Sequence, residues 1–314
     1  MFLSNITIAA KQVLILYILV AVGAIADKTR LFTEKTAKAC TDILFYVITF
    51  SVIVQSFLSM DNTAENTRGL FTAVGCGLLM HLMASCIAFP FFRRGDRAKN
   101  AVFNYGAVFG NCGYMALPLA NAVLGKEGVF FCSAVIVSFQ ISSFTYGVYL
   151  MSSDAQGKRS FDWKKIVLNP GVLAVIAGLP LYFLRVHLPE VLSQPLGYLA
   201  SMNTPLAMLI FGTYLANTKF RSMFRETKIL LVALCKLILV PLVMLGLYYL
   251  FGIRGTLLSA LILSASAPSA NNTVLFAAKY DKDTGLAAQT VSAVSLLSIV
   301  TMPTMIALAM SVPG

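Results

Sequence analysis

The polar residues of this chain are gathered into short clusters, and between the clusters run ten apolar stretches of about 20 or more residues. About 20 apolar residues are what a helix needs to cross a ~30 Å hydrocarbon core. Only helices and closed barrels satisfy their backbone polar groups there. The stretches lie at about 5–26, 36–59, 68–91, 100–123, 127–151, 165–184, 190–216, 227–250, 255–278 and 284–310. They predict an all-α membrane protein with ten transmembrane helices. Composition agrees: 58% of the residues are apolar and 12% charged, against roughly a quarter charged in an ordinary soluble domain. A soluble enzyme, a nucleic-acid binder and a disordered chain are excluded.

The net charge of +11 is explained by where the cations sit. Eighteen Lys and Arg residues fall on the odd-numbered connections, such as Lys28 to Lys38, Arg93 to Lys99 and Lys158 to Lys165, and four on the even ones. Positive charge marks the cytoplasmic side, so the odd connections are expected inside and both termini outside. Ala24-Ile25-Ala26 resembles a signal-peptidase site. Cleavage there would strip the first helix from a set with consistent charge alternation, so that helix is expected to be retained. The six cysteines form no CxxC pair, and His81 and His187 are the only histidines. No metal site, disulfide framework or cofactor is expected.

The longest polar connection, SSDAQGKRSFDWK at 152–164, falls at the chain midpoint. It divides residues 1–151, with five spans, from residues 165–314, with five more. An odd number of spans per half inverts the second half, the arrangement of many secondary transporters. Each half also carries one interrupted span. Span 4 holds FGNCGYMALPL, with Asn111 and Pro118, and span 9 holds SASAPSANNT, with Pro268, Ser269, Asn271 and Asn272. Proline removes a backbone donor and clashes with the preceding turn. Broken backbone at membrane depth survives only when buried or lining a cavity. Matched interruptions in two halves therefore point to a binding site. The plainer alternative is that Gly and Pro serve as kink and packing residues.

NCGYMALPL at 111–119, followed by PSANN and AAKYD in span 9, resembles the auxin efflux carrier family, which includes plant auxin exporters and bacterial malate and malonate permeases. NPG at 169–171 and Lys236, five residues before Pro241 in span 8, fit the same family. The resemblance covers the whole chain. Span 2 departs from it, reading FYVITFSVI where members often have a proline, and the central loop is short beside that of many plant members. The resemblance implies a 5+5 inverted repeat in which spans 4 and 9 cross as broken helices. They would sit in a transport domain of spans 3–5 and 8–10, against a scaffold of spans 1, 2, 6 and 7 that often dimerises. The implied setting is the cell membrane, and the implied substrates are small organic anions, mostly carboxylates. In the plant exporters the span-4 asparagine of an N-x6-P stretch contacts the substrate carboxylate. That position is Asn111 here, with Pro118 as the proline, and Gln140 matches a glutamine lining their site.

Each candidate has a second reading. Asn111 and Gln140 could instead cap their own helix or bond a neighbouring one. Ser138, Ser142, Ser143 and Thr145 are expected to bond back to their own helix. Lys236, the one cation deep in a late span, could hold the anion or serve as a structural tie with its stem snorkelling to the interface. His81 could carry protons or sit as a neutral core residue. Gln289, Ser292, Ser295, Ser298 and Thr301 recur every three residues and suit close packing against span 9, or a pathway lining. An intramembrane enzyme would need clustered acid, base or nucleophile, and no such motif occurs. A membrane sensor that binds a carboxylate without moving it is the alternative to a carrier.

Overall fold

The computed structural model describes residues 2–152, 170–217 and 226–313. The midpoint connection beyond Ser152, the start of the sixth apolar stretch, and Lys219, Arg221 and Arg225 lie outside the described residues. The described residues are mostly helical, with one isolated antiparallel bridge between Gly110 and Ser269.

The helices are α1 (Phe2–Lys28), α2 (Glu34–Ile43), α3 (Thr49–Leu58), α4 (Ala64–Phe92), α5 (Arg97–Val108), α6 (Leu117–Ser142), α7 (Val148–Met151), α8 (Pro170–Phe183), α9 (Glu190–Ser201), α10 (Asn203–Ala216), α11 (Thr227–Leu234), α12 (Val240–Leu250), α13 (Gly255–Ser266), α14 (Asn272–Lys279) and α15 (Thr284–Met310). Several boundaries follow from local chemistry. Thr63 caps α4, Asp96 caps α5 through the amides of Ala98 and Lys99, and Asp283 caps α15 through Leu286. Within α6 the chain turns a corner at Gly125, whose φ of 66° suits a residue without a Cβ. The expected single span at 190–216 is interrupted at Met202, between α9 and α10. Pro205 accounts for this, because its ring would meet the carbonyl of Ser201 in a continuous helix.

Among the described residues, five helical stretches are long and apolar enough to cross a membrane: Lys35–Leu58, Ala64–Phe92, Leu117–Met151, Thr227–Leu250 and Thr284–Met310. Val172–Phe183 and Gly255–Ser266 are apolar but shorter. The protein is thus an all-α, multi-pass membrane protein. Among the described residues, four π-helical turns widen these helices, at Leu44–Ile48, Cys112–Ala116, Ser143–Gly147 and Cys235–Leu239. Two precede a proline closely. The rings of Pro118 and Pro241 exclude the carbonyls of Tyr114 and Leu237 from an ordinary turn. The turn in span 2 forms without a proline: the Thr49 backbone amide and its hydroxyl both donate to the Leu44 carbonyl, the hydroxyl at 2.8 Å.

The chain packs α1 against α10 and α15, α3 against α8, and α4 and α13 against α6. The buried core includes the whole of α5 from Asn100 to Val108 and α13 from Leu258 to Ser266. These two helices are the ones that stop short, and their ends define the site.

Candidate functional site

Helix α5 ends at Val108 and α13 at Ser266, and each chain runs on in extended backbone: Phe109 has ψ 117° and Ala267 has ψ 136°. The two breaks pair with each other. The Asn111 amide donates to the Pro268 carbonyl at 2.6 Å, and the Ala270 amide donates to the Phe109 carbonyl at 2.9 Å. Backbone groups released from helical bonding are thereby satisfied inside the protein, as an apolar surrounding requires. The Ser269 hydroxyl closes a third gap by donating to the Gly106 carbonyl at 2.7 Å. Helix resumes beyond each break, through Cys112–Ala116 into α6 and through Asn272 into α14.

A cavity opens at these resumption points. Its wall is Gly110, Asn111, Cys112 and Gly113 from the first break, and Ala270, Asn271 and Asn272 from the second. Ile136, Phe139 and Gln140 come from α6, and Thr49 from the start of α3. It leaves about 40 Å³ for the centres of water-sized molecules, room for about three. Two helix N-termini face it, each equivalent to roughly +0.5 of a charge, and three asparagines and a glutamine add amide donors and acceptors. Gln140 is almost fully buried, and its Oε1 has no hydrogen-bond partner. This arrangement can hold a small anion by amide hydrogen bonds and helix ends.

Of the seven sequence-chosen residues, the cavity wall brings together Asn111, Gln140 and Asn271. Pro118, buried at the start of α6, and Pro268 and Ser269, spent on the pairing of the breaks, shape the wall from behind. Lys236 also stands behind it. The side chain is fully buried, and its Nζ has no hydrogen-bond partner. Its tip lies against Gly110: a Cβ there would stand 2.8 Å from Nζ and 2.9 Å from Cε. The long stem therefore runs inward to the paired breaks and does not snorkel. Thr49, Cys112 and Asn272 were missed as site residues. Asn272 had a signal, as the second amide of the span-9 pair, whereas Thr49 had only its place in the span that lacks a proline.

The other candidates settle into packing. His81 is buried, its Nδ1 donating to the Gly77 carbonyl at 2.7 Å and its ring lying 5.6 Å from Phe109 and 6.0 Å from Phe139. The expectation that the span-5 hydroxyls bond to their own helix holds for Thr145, which reaches Ile141. It fails for two others. Ser138 donates to Val74 of α4 at 2.7 Å, and Ser143 pairs with the Tyr105 hydroxyl at 2.7 Å. Glycine is the reason in both places. A Cβ on Gly77 would stand 2.6 Å from Ser138 Oγ, and one on Gly147 would stand 2.7 Å from the Tyr105 ring, so the helices approach closely enough for cross-bonds. In α15, Ser295 and Ser298 are buried, and Ser298 bonds back to Ser295. Among the described residues no His, Cys, Asp and Glu cluster suits a metal.

The profile of the membrane transport protein family matches residues 8–306. An uncharacterized transporter of Methanothermobacter thermautotrophicus is 26% identical over 302 residues, 94% of this chain and 96% of its own. A putative malonate transporter of Rhizobium meliloti is 25% identical over 76% of each chain. Auxin efflux carrier component 8 of Arabidopsis thaliana is 26% identical over 38% of this chain and 34% of its own.

Proposed function

The chain belongs to the membrane transport protein family, the family of the auxin efflux carriers, and from that premise we propose that it is a secondary carrier of small carboxylates working by alternating access. The observation that carries this reading is the meeting of two helix restarts at one cavity walled by Asn111, Asn271, Asn272 and Gln140, with a buried cation behind. The helix ends supply positive potential, the amides orient the carboxylate, and Lys236 adds charge through the Gly110 backbone. The small cavity favours a compact acid, and the Rhizobium relative's name makes malonate the first to try.

In this reading the ten apolar stretches form a 5+5 inverted repeat, with spans 4 and 9 crossing at the paired breaks. Spans 3–5 and 8–10 carry the site as a body against a scaffold of spans 1, 2, 6 and 7, through which two copies pair. Thr49 is then the scaffold's contribution to the cavity wall, so it meets the substrate only when the two bodies align. The carrier sits in the cell membrane with both termini outside.

A thermal-shift series of purified protein against small mono- and dicarboxylates tests the substrate class. A true ligand stabilises by about 2.7 kcal/mol at 100 times its Kd. Asn111→Asp then tests the site. A carboxylate placed against the substrate costs several kcal/mol, so malonate affinity should fall at least roughly 100-fold. Unchanged affinity in this variant, or tighter binding of the neutral diamide than of malonate, would reject a helix-end anion site.

A further inference from the structure

Lys236 is a buried amine with no acidic partner among the described residues. It is fully buried, and its Nζ makes no hydrogen bond. The buried charged or polar side chains among the described residues include no Asp or Glu. The turn that carries it packs against α4, α5, α11, α12, α13 and α15. Helices α12, α13 and α15 contain no Asp, Glu, Lys, Arg or His. The charged residues of α4, α5 and α11 stand at their outer ends. The nearest along its own helix, Lys228, is eight residues away and tied to Asn100 Oδ1 at 2.8 Å. Among the described residues, the titratable groups that interact electrostatically with Lys236 are His81 from α4 and the Cys112 thiol from the first break. Neither supplies a resident negative charge. The Cys112 thiol is turned to the Ser264 carbonyl at 3.8 Å. The His81 Nδ1 bonds a carbonyl, which can only accept, so Nδ1 carries the ring proton, and Nε2 has no hydrogen-bond partner.

We propose that Lys236 couples substrate binding to proton uptake: its amine takes one proton from water as the carboxylate settles at the paired breaks, and returns it when the carboxylate leaves. An ammonium alone in this apolar nook is unfavourable. An ammonium and a carboxylate separated by the backbone of one glycine attract strongly, because little water screens them. Gly110 is what permits the approach, since a Cβ there would stand only 2.8 Å from Nζ and press it away. The bound anion and the bound proton thus favour each other, and the effect is reciprocal. A lysine can shed its proton, whereas an arginine at this place would hold its charge throughout the cycle. The carrier would then move a proton with each anion, a symport in which the substrate itself is the counter-ion of the coupling group. This inference rests on the carboxylate reading above.

The experiment uses the full-length protein in detergent and malonate as the probe, above pH 7, where carboxylates are ionised. Titration calorimetry in two buffers of different ionisation enthalpy counts the protons taken up on binding. The expected result is close to one proton per site, with Kd weakening up to tenfold per pH unit as the amine titrates. Lys236→Arg should bind malonate with no proton uptake and a flat pH profile. Lys236→Met should bind more weakly, equally flat and without uptake. His81→Gln should leave uptake intact. Malonate binding by the native protein without proton uptake overturns the coupling and leaves the carboxylate site standing. Uptake that survives in Lys236→Arg but vanishes in His81→Gln moves the coupling to His81 and overturns the assignment. Absence of binding by any small carboxylate sinks the underlying reading instead.

Discussion

At the residue scale, the site depends on a glycine as much as on its polar groups. Gly110 lines the cavity on one side and touches Lys236 on the other, and a Cβ would also stand 3.0 Å from the Ala267 carbonyl. The lysine tip could swing away, but the carbonyl belongs to the paired breaks and cannot. Gly110→Ala should therefore cut malonate uptake per folded protein by tenfold or more while leaving helix content unchanged by circular dichroism. Native uptake would show that the pairing tolerates a methyl and that the close approach of Lys236 is incidental. Asn111 and Gln140 stood out because an amide inside an apolar span must find hydrogen-bond partners. Thr49 was not. Its hydroxyl is bound to the Leu44 carbonyl, and a threonine bonding back along its own helix leaves no pattern in sequence. Lys236 was legible as a buried cation, but its direction was not, because a lysine stem can run outward or inward from the same Cα.

At the scale of elements, the breaks of spans 4 and 9 could be read, whereas the break at Met202, set by Pro205, and the turns set by packing could not. Pro118 lies in the interrupted span that holds the turn at Cys112–Ala116, whereas the turn at Cys235–Leu239 ahead of Pro241 was not anticipated. The turns at Leu44–Ile48 and Ser143–Gly147 have no proline, and neither can be seen until Thr49 is placed on Leu44 and Gly147 against Tyr105. The close seam between α1 and α10 was equally silent. A Cβ on Gly212 would collide with the Val20 carbonyl, and one on Gly23 with the backbone of Leu209. Small residues let helix backbones approach in a membrane, where packing replaces the hydrophobic effect as the drive to associate. Gly23→Val and Gly212→Val should each cost about 1–3 kcal/mol or more by overpacking, read as a fall of several degrees in apparent Tm in detergent. Gly75, which has open space around it, supplies the control: Gly75→Val should leave Tm where it is. Equal Tm in all three variants would mean that α1 and α10 do not meet at these glycines.

At the scale of the whole molecule, the sequence and the fold speak to different axes. Apolar length marked out helices, of which five among the described residues are long enough to span a membrane, and the expected span at 190–216 is interrupted at Met202. Length does not say which helices touch: the pairing of Gly110 with Ser269, residues far apart in the chain, is a tertiary event with no local signature. Orientation across the membrane, conversely, is an expectation drawn from the charges. Eighteen of the 24 Lys and Arg residues fall on alternate connections, including the clusters at 28–38, 93–99, 158–165 and 219–228. Each cation left on the outer side would have to be carried across against the positive-inside preference. The opposite orientation would place nearly all of these clusters outside at once. The expected arrangement therefore has residue 158 inside and residue 313 outside. It can be checked in intact cells with single cysteines, Lys158→Cys or Pro313→Cys, in a background where the six native cysteines are replaced by serine or alanine. A membrane-impermeant maleimide should label position 313 and spare 158 until the cells are opened. The reverse pattern would invert the molecule, and with it the side from which the cavity beside Asn111 first meets its anion. Labelling of both positions before lysis would mean that an odd number of crossings does not lie between them, which would undo the five-and-five division of the chain.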